Sequence, residues 1–169
     1  MSIRLERGGV PFMLTGSLAM SYYVEPRMTR DVDIVIAAEA ADAGKIAALL
    51  ETDYYVDLAA VAEGIVGKTS FNAIHREGVI KVDCFPLKDD AFNASEFARR
   101  KRVTLGDFDT VIVSREDLVI AKLLWARESR SAVQLGDVRN LLAGDIDDVY
   151  VNDWVARLGL EGVLASARQ

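Results

Sequence analysis

The sequence predicts an α/β fold of the α+β kind: a small mixed β-sheet flanked by helices, with a helical C-terminal part. Three observations predict it. Short β-branched runs alternate with helix-spaced apolar segments over the first two-thirds of the chain. The last third carries only helix-period patterns. No linker-like stretch, repeat or low-complexity segment breaks the alternation, and there are only three prolines in 169 residues. On this pattern residues 1–113 form the α/β core and residues 114–169 a helical part packed on it, as one compact domain.

Each element has a local reason. FMLTG at 12–16 is an apolar run that ends at glycine, and SLAMSYY at 17–23 has helix-compatible spacing with Ser17 where an N-cap would sit. DVDIVIA at 31–37 is β-branched and alternates at its start, so it reads as a strand. AEAADAGKIAALLE at 38–51 is rich in alanine and leucine at helical spacing. TSFNAIH and GVIKVDCF flank Arg76–Glu77–Gly78 and read as two antiparallel strands around a turn. Residues 92–102 read as a short helix ending in the basic run Arg99–Arg102, and FDTVIVS at 108–114 as a strand. Ser114, with Asp117 three residues on, opens a helix over SREDLVIAKLLWARE in a box-like arrangement. AVQLGDVRNLLA and VNDWVARLGL are two further helices.

Composition narrows the class of protein. Hydrophobic residues make up 51% of the chain, ample for a core, yet no 18-residue uncharged apolar stretch exists to span a membrane. The N-terminal MSIRLERGG lacks the apolar centre of a signal peptide, and a single cysteine, Cys84, allows no internal disulfide. The expectation is a cytoplasmic protein without a membrane partner. A net charge of −6 argues against coating nucleic acid by charge alone, although Arg99, Arg100, Lys101 and Arg102 make a local basic patch.

The chemistry is in the carboxylates. Side chains at i and i+2 of a strand share a face, so Asp31 and Asp33 project together while Val32 and Ile34 turn into the core. Two like charges ~5–7 Å apart in a partly dry cleft repel, and a divalent cation between them removes the conflict. Mg²⁺ favours a few carboxylates plus water and substrate phosphates. Asp83, in IKVDCF, is a third charge in an apolar strand and a third candidate ligand. Three carboxylates converging from two strands suit two-metal phosphoryl transfer. Gly16 and Ser17 complement them: a glycine at a strand-to-helix turn admits a phosphate to the backbone, and Ser17 adds a hydroxyl donor.

With these residues in place the sequence resembles the nucleotidyltransferases of the DNA polymerase β superfamily. LTGS, thirteen intervening residues and DVDIV match that family's Gly-Ser and Asp-x-Asp signature, and PRMTRDVD resembles the Arg-x-Thr-x-Asp-x-Asp form of its small prokaryotic members. EDLVIAKLLWARESRSAVQLGDVRNLL is similar to the later motifs of the AbiEii-like toxin group. The likeness covers residues 10–143, while the chain lacks the extra domains of larger toxin members. It implies a nucleotidyltransferase-like fold that moves a nucleoside monophosphate from a nucleoside triphosphate to an acceptor hydroxyl on RNA, tRNA or protein. Mg²⁺ or Mn²⁺ would be held by Asp31, Asp33 and Asp83, and triphosphate by Gly16 and Ser17. By the same resemblance Lys122 would contact nucleotide phosphate, Asp137 would orient it or assist the acceptor, and a cognate toxin or antitoxin protein would be a partner.

Other readings stand beside this one. The same fold serves a non-catalytic, antitoxin-like module that binds nucleotide or a partner, or an enzyme that hydrolyses nucleotide in a metal-dependent way. Lysines of amphipathic helices commonly face solvent, and Asp137 after Gly136 would sit well at a helix N-terminus. Tyr22 and Tyr23 are candidates to flank a base, Trp125 and Trp154 read as core or interface aromatics, Cys84 as buried, and His75 has no evident partner.

Overall fold

The computed structural model describes residues 1–26, 28–29, 31–78 and 80–169. The chain divides into two units, one of residues 1–19 with 27–113 and the other of residues 20–26 with 114–169.

The first unit is built on a seven-stranded mixed sheet with the order β3-β4-β5-β2-β1-β7-β6. Its strands are β1 (Phe12–Thr15), β2 (Asp31–Ile36), β3 (Tyr54–Tyr55), β4 (Phe71–His75), β5 (Lys81–Pro86), β6 (Lys101–Leu105) and β7 (Phe108–Ile112). At its centre β2 runs antiparallel to β1 and parallel to β5, and β1 runs parallel to β7. The alternation that marked β2 as a strand now fixes the two faces. Leu14, Ile34, Cys84 and Phe71 lie in one cross-strand row, all buried. Each Leu, Ile or Phe side chain removed from water there contributes ~1.5–3 kcal/mol, so the register cannot slip by one residue without exposing the whole row. Helices α1 (Ser2–Arg7), α3 (Ala43–Leu50) and α4 (Leu58–Gly67) belong to this unit, and α4 lays Gly64 against the Phe71 ring of the same row.

Several local expectations need revision. The short helix α2 (Gly16–Met20) begins at Gly16, so Ser17 lies one residue inside it rather than at an N-cap. The expected helix over 92–102 stops early. Helix α5 spans Ala91–Ala98, and Lys101 and Arg102 already belong to β6. The reason is the hairpin that follows: Leu105 pairs with Phe108, leaving a two-residue loop with Gly106 at φ +60, the geometry that joins two antiparallel strands. Helices α1 and α4 and the short strand β3 were not anticipated. Asp57 caps α4 by accepting from the Ala59 amide at 2.7 Å. In the turn between β4 and β5, residue 79 lies outside the described residues, as do Arg27 and Arg30 of the PRMTRDVD stretch.

The second unit is helical: α6 (Arg115–Ser129), α7 (Ala132–Leu142), α8 (Asp148–Leu158) and α9 (Glu161–Ala167), the last unforeseen. Ser114 caps α6 as expected, accepting from the Asp117 amide at 3.2 Å. Its hydroxyl in turn donates to the Asp117 carboxylate, which also accepts from the Tyr150 hydroxyl, each at 2.5 Å. Arg115 ties residues 20–26 to the start of α6: it donates to the Tyr23 carbonyl at 2.7 Å and lies over the Tyr23 ring at 5.3 Å. Trp154 is buried, but Trp125 is 49% exposed and is no core residue.

Candidate functional site

The acidic face of the sheet follows from the register. Thr15, Asp33, Asp83 and Asn72 stand in one row across β1, β2, β5 and β4. One step away along the strands, Asp31 stands opposite Lys81, and Lys81 opposite Ile74. Parallel neighbours pair side by side at about 4.8 Å, so the Asp33 and Asp83 carboxylates start from adjacent backbone positions on one face. At that separation two full charges repel by about 3 kcal/mol in an effective dielectric near 20. This face does not serve as core at its polar end, since Asp31 is exposed and Asp33 and Asp83 are half-buried. Further along the same face Met13 and Val35 are buried. The row therefore marks where an apolar face turns polar.

Gly16 brings the two motifs into contact. It sits at φ +63, and a Cβ built on it would lie 1.9 Å from Asp33 Oδ2. The Asp33 carboxylate therefore occupies the volume that any other residue at position 16 would fill. Two separate demands, a left-handed backbone and an absent side chain, converge on one glycine. The antiparallel pairing of Thr15 with Asp33 sets up the contact, because it brings the residue after Thr15 beside the carboxylate.

Lys81 is the residue that sequence reasoning passed over. Its ammonium lies 2.9 Å from Asp83 Oδ1. The hydrogen bond to Asp83 raises the Lys81 pKa most, with further contributions from the charges of Asp83, Asp31 and Asp33. The signal was available in the sequence, since Lys81 precedes Asp83 by two positions and must share its face. As a donor set, three aspartates fit a hard divalent cation that prefers oxygen ligands. The strand register fits it also, since it sets two of the three side by side. Among the described residues, no three acidic, histidine or cysteine side chains are gathered as closely as a bound metal requires. With Asp83 held by Lys81 and Asp33 turned against Gly16, the side chains rest on protein partners instead. An apolar groove of about 220 Å³, bordered by Leu14, Val32 and Val82, is on the opposite face of the sheet and has no part in this cluster.

In the second unit Lys122 and Asp137 do meet. Lys122 Nζ donates to Asp137 Oδ2 at 2.7 Å and to Gln134 Oε1 at 3.1 Å, and both charged side chains are 5% exposed. This lysine does not face solvent, and Asp137 is inside α7 rather than at its start. The pair joins α6 to α7. Within the basic run Arg100 donates to the Phe97 carbonyl, and Arg102 pairs with the distant Glu6 of α1. His75 has partners after all, accepting from the Gly78 amide at 3.1 Å within the turn and packing edge-on against Tyr54. Tyr22 is half exposed and meets Tyr23 edge-on at 5.1 Å. Cys84 is buried, and desolvation pushes its thiol up to about 12.

No protein-family model matches the chain, and no curated protein matches it. Its structural neighbours are nucleotidyltransferases. A nucleotidyltransferase-like protein from Paracoccidioides brasiliensis aligns with a TM-score of 0.56 at 14% identity, over 98% of this chain and 87% of that one. The antibiotic-resistance factor ANT(2")-Ia, solved with adenylyl-2"-tobramycin, gives 0.53 at 14% identity over 98% and 91%. The lincosamide adenylyltransferase LnuA, solved with lincomycin, gives 0.52 at 17% identity over 81% and 89%. At these identities the likeness establishes the fold, which is nucleotidyltransferase-like.

Two stability measurements check the geometry. Gly16→Ala should lower stability by about 1–2 kcal/mol from backbone strain, with a further loss from collision with the carboxylate. In an Asp33→Ala background the second part should vanish, so urea titration of the double-mutant cycle reads the contact directly. Removing one partner of the buried pair, by Lys122→Met or Asp137→Leu, should cost about 3–5 kcal/mol because the other charge is stranded. Replacing both together should cost less than the worse single change in the same titration.

Proposed function

We propose that the chain transfers a nucleoside monophosphate from a nucleoside triphosphate to an acceptor hydroxyl. The observation that carries this is the in-register pair Asp33 and Asp83, with the Asp33 carboxylate turned against Gly16 at the end of β1. A row of like charges on a sheet face is an arrangement that folding alone would not favour. Asp31, Asp33 and Asp83 would hold Mg²⁺ or Mn²⁺. Such an ion, when bound, supplies charge neutralisation on the phosphates and lowers the pKa of the attacking hydroxyl.

The chain's own residues do the positioning. Gly16 and Ser17, which open α2 directly after β1, would hold the triphosphate. The acceptor hydroxyl gives up its proton to solvent as its oxygen attacks the α-phosphorus in line, the bond to the β-phosphate oxygen breaks, and pyrophosphate leaves. Fixed groups that need no rearrangement in the transition state supply most of the acceleration. Lys122 and Asp137 keep the roles that the resemblance gives them, and their buried bond supports the orienting half of that assignment.

RNA, tRNA and protein are the acceptors that the resemblance suggests, within a toxin–antitoxin pair. The adenylyltransferases among the fold neighbours act on antibiotics, which adds a small-molecule hydroxyl to the acceptors worth offering. The test is label transfer from each α-labelled nucleoside triphosphate with Mg²⁺, offering cell extract, tRNA and hydroxyl-bearing antibiotics separately. Wild type should label one class of acceptor. Asp31→Asn and Asp33→Asn should remain folded and lose transfer by about a thousandfold or more, the scale on which removing a charge-stabilising group acts. Wild-type turnover in either variant would contradict the assignment.

A further inference from the structure

We infer that Lys81 is a built-in counter-cation of the acidic row, which a divalent ion must displace from Asp83 in order to bind. The inference rests on the metal-binding reading given above and adds to it a residue that sets how tightly the ion is held. Lys81 and Asp83 are two positions apart on β5 and project from the same face. The Lys81 ammonium takes an oxygen of Asp83 at 2.9 Å, and its backbone is directly opposite Asp31 on β2. The ammonium thus neutralises one end of a cluster that otherwise holds three carboxylates on two adjacent strands. Asp83 is 17% exposed and fixed near the strand, whereas Lys81 is 45% exposed at the end of a flexible four-carbon stem. The lysine is free to swing out into water while the carboxylate stays. Lys81 thus stands beside all three carboxylates: Asp31 is opposite it in register, Asp83 is two positions along its own strand, and Asp33 is opposite Asp83.

The consequence is competition. In the resting protein Lys81 relieves the repulsion within the row, so the sheet folds without metal. When an ion arrives it must replace the ammonium at Asp83 and tolerate its charge nearby. Taking that charge away should tighten metal binding, and keeping it in another shape should not.

The experiment is Mn²⁺ binding by electron paramagnetic resonance at low ionic strength, using the full chain with no nucleotide present. Wild type is compared with Lys81→Met, Lys81→Arg and Asp33→Asn, each first shown to be folded by circular dichroism. Lys81→Met should bind Mn²⁺ about tenfold more tightly, the effect of one unit charge ~5 Å from a divalent ion in high dielectric. Lys81→Arg should stay within about twofold of wild type, and the gap between the two variants should narrow as salt rises. Asp33→Asn should bind weakly whatever the role of Lys81. Lys81→Met binding no tighter than wild type, while Asp33→Asn is impaired, would overturn the inference and leave the metal site standing. No Mn²⁺ binding by wild type or by Lys81→Met would overturn both.

Discussion

The contact between Gly16 and Asp33 is the constraint around which the first unit is organised. A carboxylate oxygen takes the place of a side chain, and the backbone that makes room for it adopts a left-handed conformation. Both conditions depend on β1 and β2 being antiparallel neighbours with Thr15 opposite Asp33. That register depends in turn on the apolar row behind it, where Leu14 and Ile34 are buried. A one-residue slip would put Asp33 into the core and Ile34 onto the polar face, which hydrophobic burial forbids. The site's geometry is thus enforced from the far side of the sheet.

Electrostatics sets the second constraint. Side-by-side aspartates on parallel strands repel by a few kcal/mol, a large share of the stability of an ordinary domain. Lys81 offsets part of this in the protein alone. Under the proposed metal-binding reading the same charge would oppose a bound cation, setting stability against metal affinity at one residue. Such opposition is common where a site is built for a charged ligand rather than for the fold.

Much of this was legible in the sequence because it rests on period and spacing. The i, i+2 rule placed Asp31 and Asp33 on one face, and the apolar surroundings of Asp83 marked it as a strand residue with a reason to be charged. The Gly-Ser turn was readable as a turn, but not its contact: that Asp33 itself fills the space beside Gly16 depends on strand pairing between distant segments. Lys81 was missed because a lysine near a strand start looks like ordinary solvation until β5 is set beside β2. The helix expected over 92–102 ends at Ala98, because the hairpin closed at Gly106 takes Lys101 and Arg102 into a strand through contacts that helix spacing does not register. Lys122 gave no sign of burial either, since a lysine in a helix carries the same pattern whether it faces water or, as here, Asp137.

We propose the Asp31–Asp33–Asp83 face as a divalent-cation site for nucleotide chemistry. Its most direct test is diffraction from crystals grown with Mn²⁺ and a triphosphate analogue bridged between the α- and β-phosphates, recorded at the manganese edge. An anomalous peak is expected between the Asp33 and Asp83 carboxylates, with the analogue's phosphates beside Gly16 and Ser17. Ordered analogue bound elsewhere, or manganese bound away from that row with Asp83 still on Lys81, would contradict it.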